Sequence, residues 1–352
     1  MDTAPVRRAR CRASAAALLA LICTAIAGCD GEPGKAGGPP APVVLTLASG
    51  DASLQYHPTI ERFLALVPEL SHGQLRVEGR FEVGHFAPDR DQVVMRQVAA
   101  GDADLGYVPT ASSGAPGLEA LNTPMLIDSY TVLKAIVAAD ATKQQLQQLE
   151  DVWGIAVMAN LFQRPVGVRR AFRGPADYRG ATFGAVVGHE VGTALGFTPV
   201  TAFGPNRDEL IAAGRLDGFP FTLTGYPIND FAGRANHVTL NVPFGAATTV
   251  LIGNPGAVSK LTKQQRQWIQ EAAGKAVAEF DPVTIESEAI QVLCNQGVEL
   301  ALATPEQLTA LRRALQPVFA DLAKDPNTGP LVRTVEELRA TLPADPAPAT
   351  CN

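Results

Sequence analysis

Predicted strands and amphipathic helices alternate along the chain from residue 43 onward. Residues 43–47 are largely β-branched, which predicts a strand, and residues 58–70 carry apolar side chains at helical spacing. A strand at 74–83, a helix at 89–100 and a short buried strand at 103–108 follow. Such alternation predicts an α/β fold with a largely parallel sheet.

Two hydroxyl-rich loops follow predicted strands, at residues 49–51 and 110–114. In open α/β sheets, ligands bind beyond the carboxyl ends of the strands. Asp51, Thr110 and Ser112 are therefore candidate ligand contacts. The same small polar residues are equally typical of ordinary turns.

The N-terminal segment has the pattern of a secretory signal. Four arginines lie between residues 7 and 12, an apolar run covers 15–26, and small residues precede Cys29. The run is too short to span a bilayer. Ile26-Ala27-Gly28-Cys29 resembles a bacterial lipobox, which implies removal of residues 1–28 and acylation of Cys29. The alternative is an ordinary signal peptide with an incidental cysteine.

Residues 29–42 are rich in glycine and proline, which predicts a flexible tether between a lipid and the folded body. Removing residues 1–28 leaves 25 basic and 34 acidic side chains, a formal net charge of −9. A body this acidic is a poor partner for nucleic acid or an anionic membrane surface. Membrane attachment would then depend on the lipid anchor.

The cysteines are few and lack the spacing of a zinc site. Cys11 and Cys23 fall in the predicted signal, Cys29 is the predicted anchor, and Cys294 and Cys351 remain in the body. In an oxidising compartment the last two could form a disulfide. A buried free thiol at Cys294 is equally compatible with the sequence.

About 300 residues follow the tether, a length that favours two domains. Segments 98–105, 175–180, 195–200 and 213–218 resemble, in order and spacing, those of the dicarboxylate-type (DctP) solute-binding proteins of tripartite ATP-independent periplasmic (TRAP) transporters. No single segment is diagnostic, because Asp-Gly and Gly-x-Pro occur in many turns. Their collinearity over roughly residues 43–340 carries the resemblance.

The resemblance implies a type II periplasmic-binding-protein-like α/β fold, with two lobes joined by hinge strands and a long helix. Residues 43–160 with about 245–285 would form the first lobe, and 161–244 with about 286–345 the second. Such a protein lies outside the cytoplasm. It closes over a small organic anion and delivers it to TRAP membrane subunits, without catalysis or a cofactor.

The resemblance also implies site residues, with departures. The position of the family's principal carboxylate-binding arginine falls on Gly184, the supporting arginine matches Arg164, and the family's aromatic residue matches Phe203. Phe219 and Phe221 stand where polar residues usually follow Asp-Gly. Glycine in place of the arginine removes charge and leaves room, and the two phenylalanines offer apolar area. Together these changes predict a solute bulkier or less acidic than a C4-dicarboxylate. The alternatives are an exposed arginine for Arg164 and core packing for the phenylalanines.

Catalytic patterns are incomplete. His189-Glu190 begins like a metalloprotease helix, but the second histidine four residues later is missing. The chain has no nucleophile elbow, no phosphate-binding glycine loop and no histidine spacing for a metal. A solute receptor is therefore expected. A lipoprotein sensor or scaffold of the same fold is the first alternative, and a secreted enzyme the second.

Overall fold

The computed structural model describes residues 41–85, 87–184 and 188–351. The predicted signal peptide, the predicted anchor Cys29 and all but the last two residues of the predicted tether lie outside the described residues. Within the described ranges, no helix combines the length and the apolar composition that crossing a bilayer requires.

The described chain alternates between strands and helices. The strands are β1 (Val43–Ala48), β2 (Leu75–Arg80), β3 (Leu105–Pro109), β4 (Trp153–Met158), β5 (Gln163–Gly167), β6 (Thr182–Gly184), β7 (Thr198–Val200), β8 (Gly218–Thr222), β9 (His237–Thr239), β10 (Thr249–Gly253) and β11 (Glu299–Ala301). The helices are α1 (Pro58–Leu70), α2 (Arg90–Ala100), α3 (Tyr130–Ala138), α4 (Asp140–Leu146), α5 (Pro175–Tyr178), α6 (His189–Leu195), α7 (Gly204–Ala212), α8 (Gly225–Ile228), α9 (Pro255–Lys260), α10 (Lys263–Glu279), α11 (Pro282–Asn295), α12 (Pro305–Lys324) and α13 (Gly329–Thr341).

The strands form two sheets, and each sheet with its packed helices is called a lobe. The first has the order β2-β1-β3-β10-β4 and the second β11-β9-β5-β8-β6-β7. In the first, β1 runs parallel to β2 and β3, while β10 is antiparallel to β3 and β4. In the second, β5 is antiparallel to β8 and β9. The predicted two-lobe α/β architecture is confirmed, but both sheets are mixed rather than largely parallel.

The mixed order has a topological cause. β5 enters the second sheet directly from β4 of the first, and β10 returns to the first sheet after β9 of the second. A strand that arrives from the neighbouring lobe enters from the opposite end of the sheet and so runs against its neighbours.

The first predicted elements match the structure closely. Helix α1 has the predicted bounds and buries Ile60, Phe63 and Leu66. Helix α2 ends at Gly101, whose φ of 84° is the left-handed conformation that glycine adopts most easily. Strand β2 ends at Arg80, three residues before the predicted end of that strand.

The long helix implied by the family resemblance is divided in two. Thr262 caps α10 as predicted, by accepting a hydrogen bond from the amide of Gln265. α10 packs against α1 and β4 of the first lobe, whereas α11 buries apolar residues in the second. Pro282 begins α11, a position where the missing N–H costs nothing. The break at residues 280–281 is thus one crossing between lobes.

The C-terminal region returns to the first lobe. α12 packs against α5 and α6, but α13 packs against α3 and α4 and buries Leu331 and Val335 there. The predicted second-lobe boundary at about residue 345 therefore does not hold for α13, which was not predicted as a separate helix. Of the two alternatives for Cys294, the structure has the disulfide with Cys351.

Candidate functional site

The two lobes touch along a seam. The guanidinium carbon of Arg90, at the start of α2, lies 4.0 Å from the centroid of the Phe203 ring, which precedes α7. The side-chain amide of Asn229, after α8, donates a hydrogen bond to the Tyr56 hydroxyl at 3.2 Å. Phe203 is 36% exposed and is the sequence-predicted aromatic contact. These two contacts define the seam, with Arg90 and Tyr56 from the first lobe.

Asp51 lies on the first-lobe side of the seam. Its carboxylate is 2.8 Å from Nε2 of His57, and the other ring nitrogen of His57 is 3.0 Å from the amide nitrogen of Asn160. Burial works to raise the pKa of Asp51, but the hydrogen bond from His57 and the nearby charge of Arg90 lower it overall. Asp51 is therefore ionised at neutral pH.

Asp91 adds a second carboxylate to this wall. One oxygen lies 3.7 Å from Nε of Arg90, and the other accepts a hydrogen bond from the Ser112 hydroxyl at 2.9 Å. Burial raises the pKa of Asp91 above its usual value. Asp51 and Ser112, both predicted from the sequence, thus belong to one cluster around Arg90.

Thr110 is more deeply placed than Ser112. Its hydroxyl is buried, lies 2.8 Å from the Thr248 hydroxyl and accepts a hydrogen bond from the side chain of Asn122 at 2.6 Å. These bonds tie the end of β3 to the segment that re-enters the first lobe. The Thr110 hydroxyl is thus already engaged within the fold. Direct contact between Thr110 and a solute stays a prediction.

Arg164 lies at the hinge. It is 8% exposed, and its Nη2 donates to Oε2 of Glu286 at 2.9 Å, so the exposed alternative is wrong. The Tyr130 hydroxyl donates to the same carboxylate at 2.6 Å and accepts from the amide of Phe162 at 2.8 Å. The predicted anion grip stays a prediction, but in this conformation the guanidinium is engaged by Glu286.

Gly184 does not leave the space that its lack of a side chain suggested. A Cβ placed there would lie 2.6 Å from the Cβ of Ala202 and 3.2 Å from the Cβ of Phe219. Neighbouring atoms have filled the position, so the expectation of added room beside Gly184 is corrected.

Phe219 and Phe221 face the same side of β8, as predicted for residues two apart in a strand, and their ring centroids are 6.2 Å apart. Phe219 is fully buried in the second-lobe core, which matches the core-packing alternative, whereas Phe221 is half-buried. With Phe231 they surround Arg207. Its guanidinium carbon lies 5.2, 4.8 and 4.5 Å from the rings of Phe219, Phe221 and Phe231.

Arg207 is the candidate that sequence reasoning missed. It stands in the first half of α7, four residues after Phe203, and is only 5% exposed. Its Nη2 donates to the Asn229 side chain at 3.2 Å, and its buried Nε has no hydrogen-bond partner in the part of the chain that the structure describes. Burial lowers the pKa of Arg207 to about 10, so the guanidinium is still charged at neutral pH. A single arginine in a short helix gives no sequence signal of burial.

Residues 48–325 match the sequence model of the DctP family, described as bacterial extracellular solute-binding protein, family 7. The chain belongs to this family. The predicted resemblance to TRAP solute-binding proteins is thereby confirmed, and DctP proteins are extracytoplasmic and serve transport. No curated protein is similar enough in sequence to match.

Solved structures of similar fold include TRAP periplasmic solute-binding proteins. One from Desulfovibrio desulfuricans, with bound sn-glycerol-3-phosphate, is 14% identical with a TM-score of 0.73, covering 86% of this chain and 99% of that chain. One from Ralstonia eutropha H16, with bound (S)-2-acetolactate, is 19% identical with a TM-score of 0.71, covering 85% and 99%. The sugar acid binding protein DctPAm from Advenella mimigardefordensis, in complex with galactonate, is 17% identical with a TM-score of 0.70, covering 84% and 98%. At these identities the likeness establishes the shared fold.

Proposed function

We propose that this DctP protein captures a small organic anion between its lobes and delivers it to TRAP membrane subunits. The observation that carries the proposal is the seam itself, where charged and aromatic side chains of both lobes meet within a family of solute receptors. Related structures hold galactonate, acetolactate and glycerol phosphate, which are all small anions.

The solute is proposed to be bulkier or less acidic than a C4-dicarboxylate. Gly184 stands where the family's principal arginine is expected, and Phe221 supplies apolar surface on β8. Asp51 and Asp91 outnumber the single arginine between them, Arg90, so with both carboxylates ionised this part of the first-lobe wall disfavours solutes with two negative charges. Asp51, Ser112 and Phe203 are proposed contacts, while Arg164 is a weaker candidate because Glu286 already binds it.

We also propose that the protein is a lipoprotein, with Cys29 acylated and the following residues as a tether. The lipobox-like sequence supports this, as does the start of the first strand at Val43, which leaves a glycine- and proline-rich stretch between the cysteine and the body. Such a tether would keep the receptor near its membrane partners.

A thermal-shift screen of organic acids, aromatic acids and amino acids tests the receptor function. A solute that binds the native state at about 100 times its Kd stabilises it by about 2.7 kcal/mol. Mass spectrometry of the purified protein provides an independent search for a bound solute. If no compound raises the melting temperature and nothing co-purifies, the receptor proposal fails.

The alternative, a sensor or scaffold lipoprotein, also predicts solute binding. Uptake of the identified solute separates the two, because a TRAP receptor is required for transport and a sensor is not. Loss of uptake on deletion of the gene supports the receptor, whereas unchanged uptake favours the sensor. Turnover of the solute by the purified protein would instead indicate an enzyme.

A further inference from the structure

Arg207 is a buried cation whose partners within the protein are incomplete. Among the described residues no carboxylate lies within 4.0 Å of its guanidinium nitrogens, and its buried Nε has no hydrogen-bond partner. Asp208 attracts Arg207 from a longer distance, but its carboxylate pairs with Arg234. Arg164, buried to a similar degree, has Glu286 as its counterion. A buried charge is costly unless it is paired. An arginine placed in this way at a seam between lobes is suited to an anion from outside.

We propose that Arg207 binds the anionic group of the solute, and this inference rests on the receptor function proposed above. The residue lies at the seam, because its Nη2 contacts Asn229 and the same amide side chain donates to Tyr56 of the opposite lobe. The hydrogen bond from Asn229 to Tyr56 links the arginine to closure of the lobes. Binding at Arg207 would therefore favour the closed arrangement.

The aromatic rings around Arg207 indicate what the uncharged part of the solute should be. Phe219, Phe221 and Phe231 stabilise the guanidinium by cation–π contact when no anion is bound. Phe221 is half-buried and lies beside the guanidinium, so it presents apolar surface to a solute there. If the anionic group of a solute is bound at Arg207, the rest of the solute lies against apolar surface. This arrangement favours a solute whose remaining part is apolar or aromatic.

The opposite wall limits the number of charges on the solute. Asp51 is ionised and Asp91 is a second acidic group, while Arg90 is the cation between them. A second carboxylate that points toward this wall would meet like charge. The assigned ligand class is therefore a monocarboxylate with an apolar or aromatic body.

The experiment measures thermal stabilisation of the full-length protein by three groups of probes. The monocarboxylates are phenylacetate, benzoate and phenyllactate, and the corresponding amides are uncharged controls of similar shape. The dicarboxylates are succinate and malate. The variants are Arg207→Met and the matched control Arg234→Met. Arg234 also lies near the Phe231 ring, at 5.7 Å, but it pairs with Asp208 at 3.1 Å.

A monocarboxylate should stabilise the parent and Arg234→Met more than its amide does. Arg207→Met should bind the same monocarboxylate at least about tenfold more weakly. Without added probe, Arg207→Met loses the cation–π contacts and the hydrogen bond to Asn229 but also removes an unpaired buried charge, so its melting temperature alone does not test the role in binding. A purely structural arginine would leave the preference for acid over amide unchanged.

Two results overturn the assignment. If the parent and Arg207→Met respond equally to the monocarboxylates, Arg207 is not the anion-binding residue. If only amides or dicarboxylates stabilise the parent, the ligand class is wrong although the receptor function stands. Absence of any response, together with absence of a co-purifying solute, contradicts both this assignment and the receptor function.

Discussion

Arg164 and Glu286 form a buried bidentate ion pair where β5 and α11 leave the hinge. Nη2 of Arg164 donates to Oε2 of Glu286 at 2.9 Å and Nε donates to Oε1 at 3.3 Å, and both side chains are 8% exposed. The Tyr130 hydroxyl of the first lobe joins the same carboxylate. The pair therefore connects β5, α11 and the first lobe beside two of the segments that cross between the lobes.

Removing the arginine should destabilise the protein strongly. Arg164→Met leaves Glu286 buried and uncompensated, with an expected loss of about 3–5 kcal/mol in the free energy of unfolding. Urea denaturation measures the change. The double variant Arg164→Met/Glu286→Leu should recover most of the loss, since it removes both charges.

The same variants test the role of Arg164 in solute binding. Once a solute is known, Arg164→Ala is compared with the parent at a temperature where both are folded. Equal affinity would show that the anion-grip prediction for Arg164 is wrong. A loss of affinity in Arg164→Ala that the double variant does not restore would instead support it.

Gly184 should not accept a side chain. Because a Cβ would lie 2.6 Å from the Cβ of Ala202, Gly184→Ala should cost about 1–3 kcal/mol of stability. Gly184→Arg should disrupt the second lobe rather than create a site for small carboxylates. Gly274→Ala is the control, since a Cβ at this α10 position meets no described atom beyond its own helix within 4 Å and alanine favours the helix. A stable Gly184→Arg protein that gains succinate binding would contradict the prediction.

Local signals account for the elements that the sequence predicted well. The bounds of α1 follow from helical apolar spacing, the end of α2 from Gly101, and the start of α10 from the cap at Thr262. Each depends on residues within one or two helical turns. Family resemblance added the two-lobe architecture, which local periodicity alone does not contain.

Long-range pairing accounts for what the sequence did not predict. Arg164 and Glu286 are 122 residues apart, so neither position reveals the other. The aromatic surroundings of Arg207 come from β8 and from a loop after α8. The filling of the space at Gly184 depends on Ala202 and Phe219, which no sequence pattern places beside it. The sequence therefore pointed to the first-lobe loops of the candidate site but not to its buried arginine, and a role of these residues in solute binding stays a prediction.

Cys29→Ser should release the protein from the membrane. Without the thiol there is no acylation site, so an anchored protein becomes extractable in aqueous buffer after cell fractionation. Cys23→Ser, within the predicted signal, is the matched control and should leave the protein in the membrane fraction. Equal distribution of Cys29→Ser and the parent would support the ordinary signal peptide instead.

Loss of the disulfide should loosen the C-terminal tail. Cys351 is bonded to Cys294 of α11, and Asp345 between them in the chain accepts hydrogen bonds from the amides of Tyr130 and Thr131 at the start of α3. Cys351→Ser should cost about 2–4 kcal/mol, chiefly because the unfolded chain is no longer cross-linked. Hydrogen exchange should also become faster at Tyr130 and Thr131. Unchanged exchange there would show that Asp345 holds its place without the disulfide.

Acid should destabilise the protein partly through Asp51. Its folded-state pKa is lowered, so its ionised form stabilises the native state fully above the unfolded pKa of about 4, and this contribution disappears as the pH falls through the folded pKa. Asp51→Asn should therefore lose less stability than the parent when urea denaturation is repeated at pH 6 and pH 3.

Asp91 should have the opposite effect on the pH dependence of stability. Burial raises its folded-state pKa, so protonation of Asp91 favours the native state as the pH falls through that raised value. Asp91→Asn should consequently lose more stability on acidification than the parent does. The seam geometry implies that the two carboxylates have different environments. A change in stability of the same direction in both variants would contradict this.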